Sequence, residues 1–274
     1  MNTIIAGGIS RCEQYIKRYV KSKSDFNVRM YGLSRIIEFP NSDTRFRFFG
    51  TEKKTDRIEG SYFVTLVRKE IDAYIEKNGI PKIHHKPHIQ LFHTNNIKEN
   101  FNKPLSAIDI NSCYWTTAYN LGYISEELFQ RGIKSNKKMG LLVSIGSLNK
   151  LPLIQVYKNG KFKKQYLDHE YSDRYSPFFW NIIDVVYNMC MEIYDMLGDD
   201  FYAWITDCVH VSQDKKEAVE HYFEAHNYGH KSNIISYESC NNGTVGWYDC
   251  KESKVKTMGY TNRTIYEPFK KWNG

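Results

Sequence analysis

The chain has 274 residues, of which 41% are hydrophobic and 15% are aromatic, so it can bury a sizeable core. This composition excludes a disordered chain, and no apolar run approaches the roughly 20 residues that a bilayer span requires. The net charge of +7 arises from residues 1–100, which carry 18 basic and 11 acidic side chains. The N-terminus lacks the features of a signal peptide and the six cysteines form no paired motif. We therefore expect a cytoplasmic protein with no membrane partner, in the host cytoplasm if a virus encodes it.

The first hundred residues give an incomplete pattern, and we predict a basic N-terminal subdomain over residues 1–102 without assigning its fold. Its predicted elements are helices at residues 13–21 and 63–77 and strands at residues 44–49 and 89–92. The alternating segment Arg45-Phe-Arg-Phe-Phe49 favours a strand with one buried aromatic face over a stacking surface for single-stranded nucleic acid. The histidines at residues 84–93 favour a loop over a zinc site, because no cysteine or carboxylate lies close by.

From residue 103 onward, strand and helix patterns are separated by clear turn signals. Asn159-Gly160 indicates a two-residue hairpin, Ser176-Pro177 predicts the start of a long helix, and Gly198 predicts its end. The predicted strands are residues 105–110, 153–158, 161–167, 201–205, 209–212, 233–238 and 245–249, and the predicted helices are residues 114–121, 125–131, 135–148, 178–197 and 214–226. This order predicts an α+β fold, with helices against one face of an antiparallel sheet.

Charges of opposite sign are separated within this second part of the chain. Residues 128–167 contain nine basic side chains and no acidic one, whereas residues 182–228 contain ten acidic side chains and two lysines. A basic segment attracts phosphates and an acidic segment attracts cations. The combination suits chemistry on nucleotides with a divalent metal, although ordinary surface charge explains the same composition.

Two aspartates stand where predicted strands end. Asp109 ends a strand that leads into a helix, and Asp207 lies at the tip of a tight hairpin. If these strands are adjacent, the carboxylates can face each other and offer the oxygen ligands that Mg²⁺ or Mn²⁺ requires, with substrate phosphates completing the coordination. Taken alone, either aspartate is more typical of a turn former, so the prediction depends on the two meeting in space.

The residues around Asp109 resemble the first motif of the family B DNA polymerases, and most closely the protein-primed branch of phages and linear elements. That motif reads Asp-x-x-Ser-Leu-Tyr, and the chain keeps Asp109, Ser112 and Tyr114, whereas Cys113 departs from it. The resemblance implies that Asp109 binds both catalytic metals and that Ser112 and Tyr114 belong to the nucleotide site. It also implies that the ring of Tyr114 lies under the incoming sugar and excludes a 2′-hydroxyl group.

A second polymerase motif, Lys-x-x-x-Asn-Ser-x-Tyr-Gly, is matched only by its first and last residues, Lys138 and Gly146. The resemblance implies a short helical fingers element at about residues 122–150, in which Gly146 permits close approach. It further implies that the triphosphate is contacted by Arg131, Lys134 and Lys138. A basic surface helix explains these side chains equally well.

The third motif, Tyr-x-Asp-Thr-Asp-Ser, resembles the residues around Asp207. Thr206 and Asp207 match the motif, but Ile205 replaces its first aspartate and Cys208 replaces its serine. The resemblance implies that Asp207 is the second metal-binding carboxylate. Farther along, Lys231 stands at the distance of a family lysine that contacts the primer terminus, so primer or DNA contacts are implied for Thr206 and Lys231.

Over residues 105–265 the resemblance implies a polymerase palm with an RRM-like or ferredoxin-like core. The palm would occupy residues 103–274 with a reduced fingers element. The implied activity is that of a DNA polymerase-like nucleotidyltransferase, which adds dNTPs to a 3′-hydroxyl group with Mg²⁺ or Mn²⁺ held by Asp109 and Asp207. DNA and dNTPs are the expected partners, together with a second protein subunit or a priming protein.

Departures from the family pattern keep two alternative functions open. The first hundred residues contain no Asp-x-Glu proofreading motif, and too few residues follow Tyr260 for a full thumb. One alternative is a non-catalytic nucleic-acid-binding protein built on the same palm. The other is a metal-dependent nuclease that uses the same aspartates.

Overall fold

The computed structural model describes residues 2–31, 34–49, 54–87, 91–135, 138–241 and 244–259. The chain divides into two compact units, the first with residues 1–82 and 123–179 and the second with residues 83–122 and 180–274. Each unit combines helices with a largely antiparallel sheet, which makes the fold α+β as predicted. The division is discontinuous in sequence, whereas the prediction placed a single boundary after residue 102.

The described strands and helices are numbered here in chain order. The strands are β1 (Asn2–Gly8), β2 (Phe26–Tyr31), β3 (Ser34–Glu38), β4 (Thr44–Phe49), β5 (Leu91–His93), β6 (Leu105–Ile110), β7 (Leu153–Lys158), β8 (Lys161–Leu167), β9 (Phe201–Ile205), β10 (Cys208–Ser212), β11 (His230–Asn241), β12 (Thr244–Asp249) and β13 (Lys254–Gly259). The α-helices are α1 (Ile9–Lys21), α2 (Lys54–Asn78), α3 (Cys113–Asn120), α4 (Glu126–Ser135), α5 (Lys138–Gly146), α6 (His169–Leu197) and α7 (Lys216–Ala225). Short 3₁₀ helices lie at Asn95–Asn100, Gly198–Asp200 and Gln213–Lys215. Among the described residues, no helix has both the length and the apolar character needed to cross a bilayer.

The first unit is built on a six-stranded sheet in the order β1-β4-β3-β2-β7-β8, in which β1 and β4 are parallel and the other neighbours are antiparallel. The alternating segment of β4 places the rings of Phe46 and Phe48 against Tyr15 of α1, with ring centroids 5.5 and 5.2 Å apart. The expected strand with a buried aromatic face is therefore confirmed. Its arginines alternate onto the opposite face, because successive side chains of a strand point to opposite sides.

The hairpin between β7 and β8 turns at Asn159 and Gly160, as the sequence predicts. Both residues have left-handed backbone conformations, with φ of 51° and 68°. This pair of conformations is what a two-residue hairpin turn requires, and asparagine and glycine adopt it most readily. A side chain at Gly160 would also collide with the backbone carbonyl of Val20.

The second unit is built on a seven-stranded sheet in the order β13-β12-β11-β6-β10-β9-β5, with every neighbouring pair antiparallel. On one face, apolar residues of β6, β9 and β10 form a core with α3, α7 and residues 186–197 of α6. On the other face, a second apolar cluster packs around Ile97 of the first 3₁₀ helix. The central strand β6 is therefore covered by helices on one face of the sheet.

The long helix α6 begins earlier than the sequence predicts. It starts at His169, and Pro177 lies inside it, so the prediction that Ser176 caps this helix is wrong. The cap is instead Asp168, whose Oδ1 accepts a hydrogen bond of 3.1 Å from the backbone N–H of Tyr171. The predicted end is confirmed, because Gly198 follows Leu197 with φ of 54°.

The cap predicted for α4 is also present. The hydroxyl of Ser125 accepts a hydrogen bond of 3.2 Å from the N–H of Leu128, and the helix runs to Ser135 rather than to residue 131. Residues 88–90, part of the predicted histidine loop and strand, lie outside the described residues. Residues 260–265 of the polymerase-like segment do so as well.

Candidate active site

Asp109 and Asp207 come from adjacent strands at the centre of the second sheet. β6 runs between β10 and β11, so Asp109 stands directly opposite Cys208 on one side and Lys231 on the other. Asp207 immediately precedes Cys208, in the two-residue turn that joins β9 to β10. Because directly opposite residues of antiparallel strands have Cα atoms about 4.5–5.5 Å apart, both aspartates lie at the same end of the sheet.

The charges of the two aspartates act on the same neighbouring groups. A hydrogen bond to Asp109 raises the pKa of Lys231, and the negative charges of Asp109 and Asp207 raise it further, although burial opposes the rise. Burial raises the pKa of the Cys113 and Cys208 thiols well above the usual value, and both carboxylates add to this increase. The two aspartates thus share one local electrostatic environment.

The backbone holds Asp207 against the end of β6. The N–H of Ile110 donates a hydrogen bond of 2.9 Å to the carbonyl of Asp207, and the N–H of Asp207 donates one of 2.7 Å to the carbonyl of Ile205. The indole Nε1–H of Trp204 donates a hydrogen bond of 3.0 Å to the carbonyl of Thr206. Thr206 has φ of 60°, a left-handed conformation that costs a β-branched residue about 1–2 kcal/mol. The turn is therefore fixed in a strained conformation.

Lys231 forms an ion pair with Asp109, with its Nζ 2.6 Å from the Oδ2 atom. The two side chains are 55% and 28% exposed, so a solvated ligand can reach both. The ammonium group neutralises this carboxylate oxygen, so a metal ion at Asp109 would have to displace it. Among the described residues, no group of three or more histidine, cysteine, aspartate or glutamate side chains is placed to hold a metal ion. Two carboxylates nevertheless fit Mg²⁺, which usually binds one or two carboxylates and completes its shell with water and substrate phosphates.

The other residues of the first motif lie at the start of α3. Ser112 has a left-handed backbone, with φ of 49°, and its carbonyl accepts a hydrogen bond of 2.9 Å from the N–H of Thr116. Tyr114 is half-buried against the core beneath the helices. Burial raises the pKa of its phenol, and the charge of Asp207 contributes. Both residues follow Asp109 closely in the sequence, at the start of α3, and their binding of nucleotide stays a prediction.

The position of the missing motif aspartate is apolar. Ile205 stands opposite Cys208 in the β9–β10 pair and belongs to the apolar cluster on that face of the sheet. Ile205, Cys208, Asp109 and Lys231 thus form one row across four strands. The hairpin supplies one carboxylate to the site, where the family motif has two.

The residues predicted to contact the triphosphate lie in the first unit. Arg131 and Lys134 are on α4, whereas Lys138 and Gly146 are on α5. The guanidinium of Arg131 donates hydrogen bonds of 2.6 Å to a carboxylate oxygen of Glu127 and 2.9 Å to the hydroxyl of Tyr62. Because the aspartates belong to the second unit, the triphosphate contacts of the three basic residues and the close approach at Gly146 stay predictions.

Asn111 is a site residue that the sequence motifs did not single out. Its backbone N–H donates a hydrogen bond of 2.8 Å to the carbonyl of Gly229. Its side-chain amide donates one of 3.2 Å to the carbonyl of His230. These bonds tie the end of β6 to the start of β11 and so position Lys231 beside Asp109. The only signal in the sequence was a polar residue two positions after the aspartate.

His210, on β10, lies in the interior of the second unit. It is buried, and its Nδ1 lies 2.7 Å from the hydroxyl of Tyr237. Burial lowers the pKa of its imidazole to about 3, so the ring is neutral at neutral pH.

Comparisons with known proteins returned no relative of this chain. No family model matches it, and neither does any curated protein or solved structure. Its function is therefore inferred from the residues of the site and from the motifs in which they stand.

Proposed function

We propose that the second unit is a polymerase palm and that the chain is a DNA polymerase-like nucleotidyltransferase. The observation that carries this proposal is the strand register, which sets Asp109 between Cys208 and Lys231 with Asp207 in the adjoining turn. The wholly antiparallel pairing around β6 and the helices on one face support a palm. The motif residues follow the family order along the chain.

In the proposed reaction, the 3′-hydroxyl group of a primer attacks the α-phosphate of a dNTP and pyrophosphate leaves. Asp109 and Asp207 would hold the cations, which would supply the contacts to the triphosphate. When bound, Mg²⁺ or Mn²⁺ lowers the pKa of the attacking hydroxyl and neutralises charge on the phosphates. Lys231 contacts the primer terminus, and Tyr114 supports the incoming sugar. Most of the rate increase then comes from positioning and charge stabilisation rather than from covalent chemistry.

Primer extension by the full chain tests this proposal. With a labelled primer–template, dNTPs and Mg²⁺ or Mn²⁺, we expect incorporation by the wild type. The Asp109→Asn and Asp207→Asn variants keep the side-chain shape but remove the charge, and we expect each to lose about 10²-fold or more of the rate. The control is Asp195→Asn, which removes an exposed carboxylate from α6 of the same unit and should leave the rate unchanged.

Two results would reject catalysis by this site. One is the absence of incorporation by the wild type, and the other is incorporation that both substitutions leave intact. Repeating the incubation without dNTPs separates the nuclease alternative, because a nuclease shortens the labelled strand when only the metal is present.

A second candidate is a non-catalytic nucleic-acid-binding protein with the same palm. Two observations favour it: the buried Ile205 at the position of a motif aspartate, and the Lys231 ammonium that already neutralises Asp109. It predicts DNA binding that weakens steeply as salt rises, because binding releases counterions from the phosphates. Mobility-shift assays at two salt concentrations, run beside the extension assay, distinguish the two candidates.

A further inference from the structure

A second candidate site lies in the first unit, in a cavity that contains none of the residues of the three polymerase-like motifs. Its volume is about 690 Å³, within the range of roughly 300–1,000 Å³ that is typical of small-molecule sites. It is lined by β2, β3, β4, α2 and the first residues of α6. Five basic and three acidic side chains face it, together with three tyrosines. Such a lining suits an anionic ligand that also has a flat or apolar part.

Arg68 of α2 is the central basic residue of this cavity. Its guanidinium lies over the rings of Tyr171, Tyr31 and Tyr175, at 4.9, 5.4 and 6.0 Å from their centroids. All three tyrosines are buried, so they form a fixed support that orients the guanidinium. The Nε of Arg68 is buried and has no hydrogen-bond partner among the described residues. A buried donor without an acceptor is unfavourable, and a ligand oxygen would satisfy it.

Two of the three acidic side chains of the cavity form ion pairs with basic residues other than Arg68. Glu38 pairs with Arg29 at 3.5 Å, and Asp72 pairs with Arg174 at 2.7 Å. Within the described part of the chain, Arg68 has no carboxylate partner. The third acidic side chain, Glu76, is exposed to solvent.

Other positive charges crowd around Arg68. The Arg47 side chain is only 7% exposed and lies 5.0 Å over the ring of Phe49. Burial, together with the charges of Arg68 and Arg45, lowers the pKa of Arg47 to about 10, and at this value the guanidinium stays charged at neutral pH. Burial also lowers the pKa of Lys150, with the charges of Arg68 and Arg47 adding to the effect. An anion in the cavity would relieve this repulsion.

We propose that this cavity binds a phosphate group through Arg68 and Arg47, with Lys69 at its rim. The planar guanidinium fork matches two phosphate oxygens, which makes arginine the side chain best suited to this ligand. The rest of the ligand would contact Tyr31 and Tyr171. A free nucleotide and the 5′-phosphate end of a nucleic-acid strand present the same chemistry. The inference does not depend on catalysis by Asp109 and Asp207, because every residue of the cavity belongs to the other unit.

Calorimetric titration of the full chain tests the proposal. The protein carries Asp109→Asn and Asp207→Asn, and the buffer contains EDTA, so that metal-dependent binding at the palm does not contribute. The ligands are sodium pyrophosphate, dATP, and oligothymidylate with and without a 5′-phosphate. We expect pyrophosphate to bind with a Kd below about 1 mM.

Charge-matched variants separate this site from general attraction of anions. Arg68→Gln should weaken pyrophosphate binding about tenfold or more, because it removes a charge-assisted hydrogen-bond donor. Arg18→Gln removes an exposed arginine of α1 and should leave the Kd within about twofold. Arg68→Lys keeps the charge but loses the fork, so it should fall between the two. If circular dichroism shows that Arg68→Gln does not fold, Lys69→Gln replaces it, with an expected loss of about threefold.

The same titrations identify the source of the phosphate. Tight binding of dATP indicates a free nucleotide, whereas a preference for the 5′-phosphorylated strand over its 5′-hydroxyl counterpart indicates a strand end. The proposal is overturned if pyrophosphate, dATP and the phosphorylated strand all fail to bind with a Kd below about 1 mM. It is also overturned if Arg18→Gln weakens binding as much as the cavity variant does.

Discussion

Removing the ammonium group of Lys231 is a direct test of whether Asp109 and Asp207 hold a divalent cation. The Nζ of Lys231 lies 2.6 Å from Asp109 Oδ2, where it neutralises the carboxylate and competes with any metal ion. In the Lys231→Met variant an uncharged side chain of similar length replaces it. We therefore expect the variant to bind Mn²⁺ more tightly than the wild type does.

The size of this effect follows from the charges and their exposure. A unit charge and a divalent cation about 4 Å apart repel each other by about 2 kcal/mol in a medium as polar as water. The Lys231 side chain is 55% exposed, so screening reduces this to about 1 kcal/mol, or about a fivefold lower Kd. The same exposure limits the loss of stability, and the free energy of unfolding should change by less than about 1 kcal/mol.

The assay is a titration with Mn²⁺ in the absence of nucleotide, followed by calorimetry or by the paramagnetic resonance of free Mn²⁺. Lys215→Met is the matched control, because Lys215 pairs with Asp200 and Asp214 of the same unit at 3.6 and 3.3 Å. Urea denaturation establishes that both variants are folded. Unchanged or weaker Mn²⁺ binding by Lys231→Met would refute the reasoning, since it would mean that Asp109 is not a metal ligand.

Three further predictions concern the same unit. Replacing Tyr114 with valine should raise incorporation of ribonucleotides relative to deoxynucleotides in primer extension, because the ring that is expected to exclude the 2′-hydroxyl is gone; an unchanged ratio would place that ring elsewhere. Replacing Thr206, which has φ of 60°, with glycine should raise the free energy of unfolding by about 1 kcal/mol in urea, and a loss of stability would show that the turn is not strained. Burial holds the pKa of His210 at about 3 in the folded state, below its usual 6.5, so the unfolded state binds more protons between these pH values. The free energy of unfolding should therefore decrease as the pH is lowered from 6.5 to 3, by about 1.4 kcal/mol per pH unit. The double variant His210→Leu, Tyr237→Phe removes both hydrogen-bonding partners and should flatten this slope; an identical slope would assign the pH dependence to other groups.

Local signals predicted most of the elements after residue 103, whereas β1, β2 and β3 of the first sheet were not predicted. The strand Leu105–Ile110 and the hairpin at Asn159 and Gly160 match the prediction, because strand patterning and turn chemistry act over a few residues. The start of α6 was missed because Ser176 and Pro177 offered a stronger start signal than Asp168. Packing explains why the helix continues through the proline. Phe178 is fully buried, and burial of such side chains offsets the one backbone hydrogen bond that proline removes.

Contacts between distant parts of the chain were harder to predict. Both aspartates were selected from their motifs alone, but the ion pair between Asp109 and Lys231 depends on the register of β11 against β6. That register joins residues more than a hundred positions apart, and no local pattern specifies it. The cavity proposed to bind phosphate was even harder to predict, because its residues Arg47, Arg68 and Tyr171 come from three separate segments of the chain.

The strain in the hairpin bears on whether Asp207 is only a turn former. A two-residue hairpin that served stability alone would have asparagine or glycine where the backbone is left-handed. Here that position is the β-branched Thr206, whereas Asp207 itself does not have a positive φ. Hydrogen bonds from Trp204 to Thr206 and from Ile110 to Asp207 keep the turn in place despite the cost. Strain that the surroundings enforce in this way is typical of functional sites. We therefore expect Thr206→Gly to gain stability and to lose incorporation together, because glycine relieves the strain and also loosens the turn that contains Asp207.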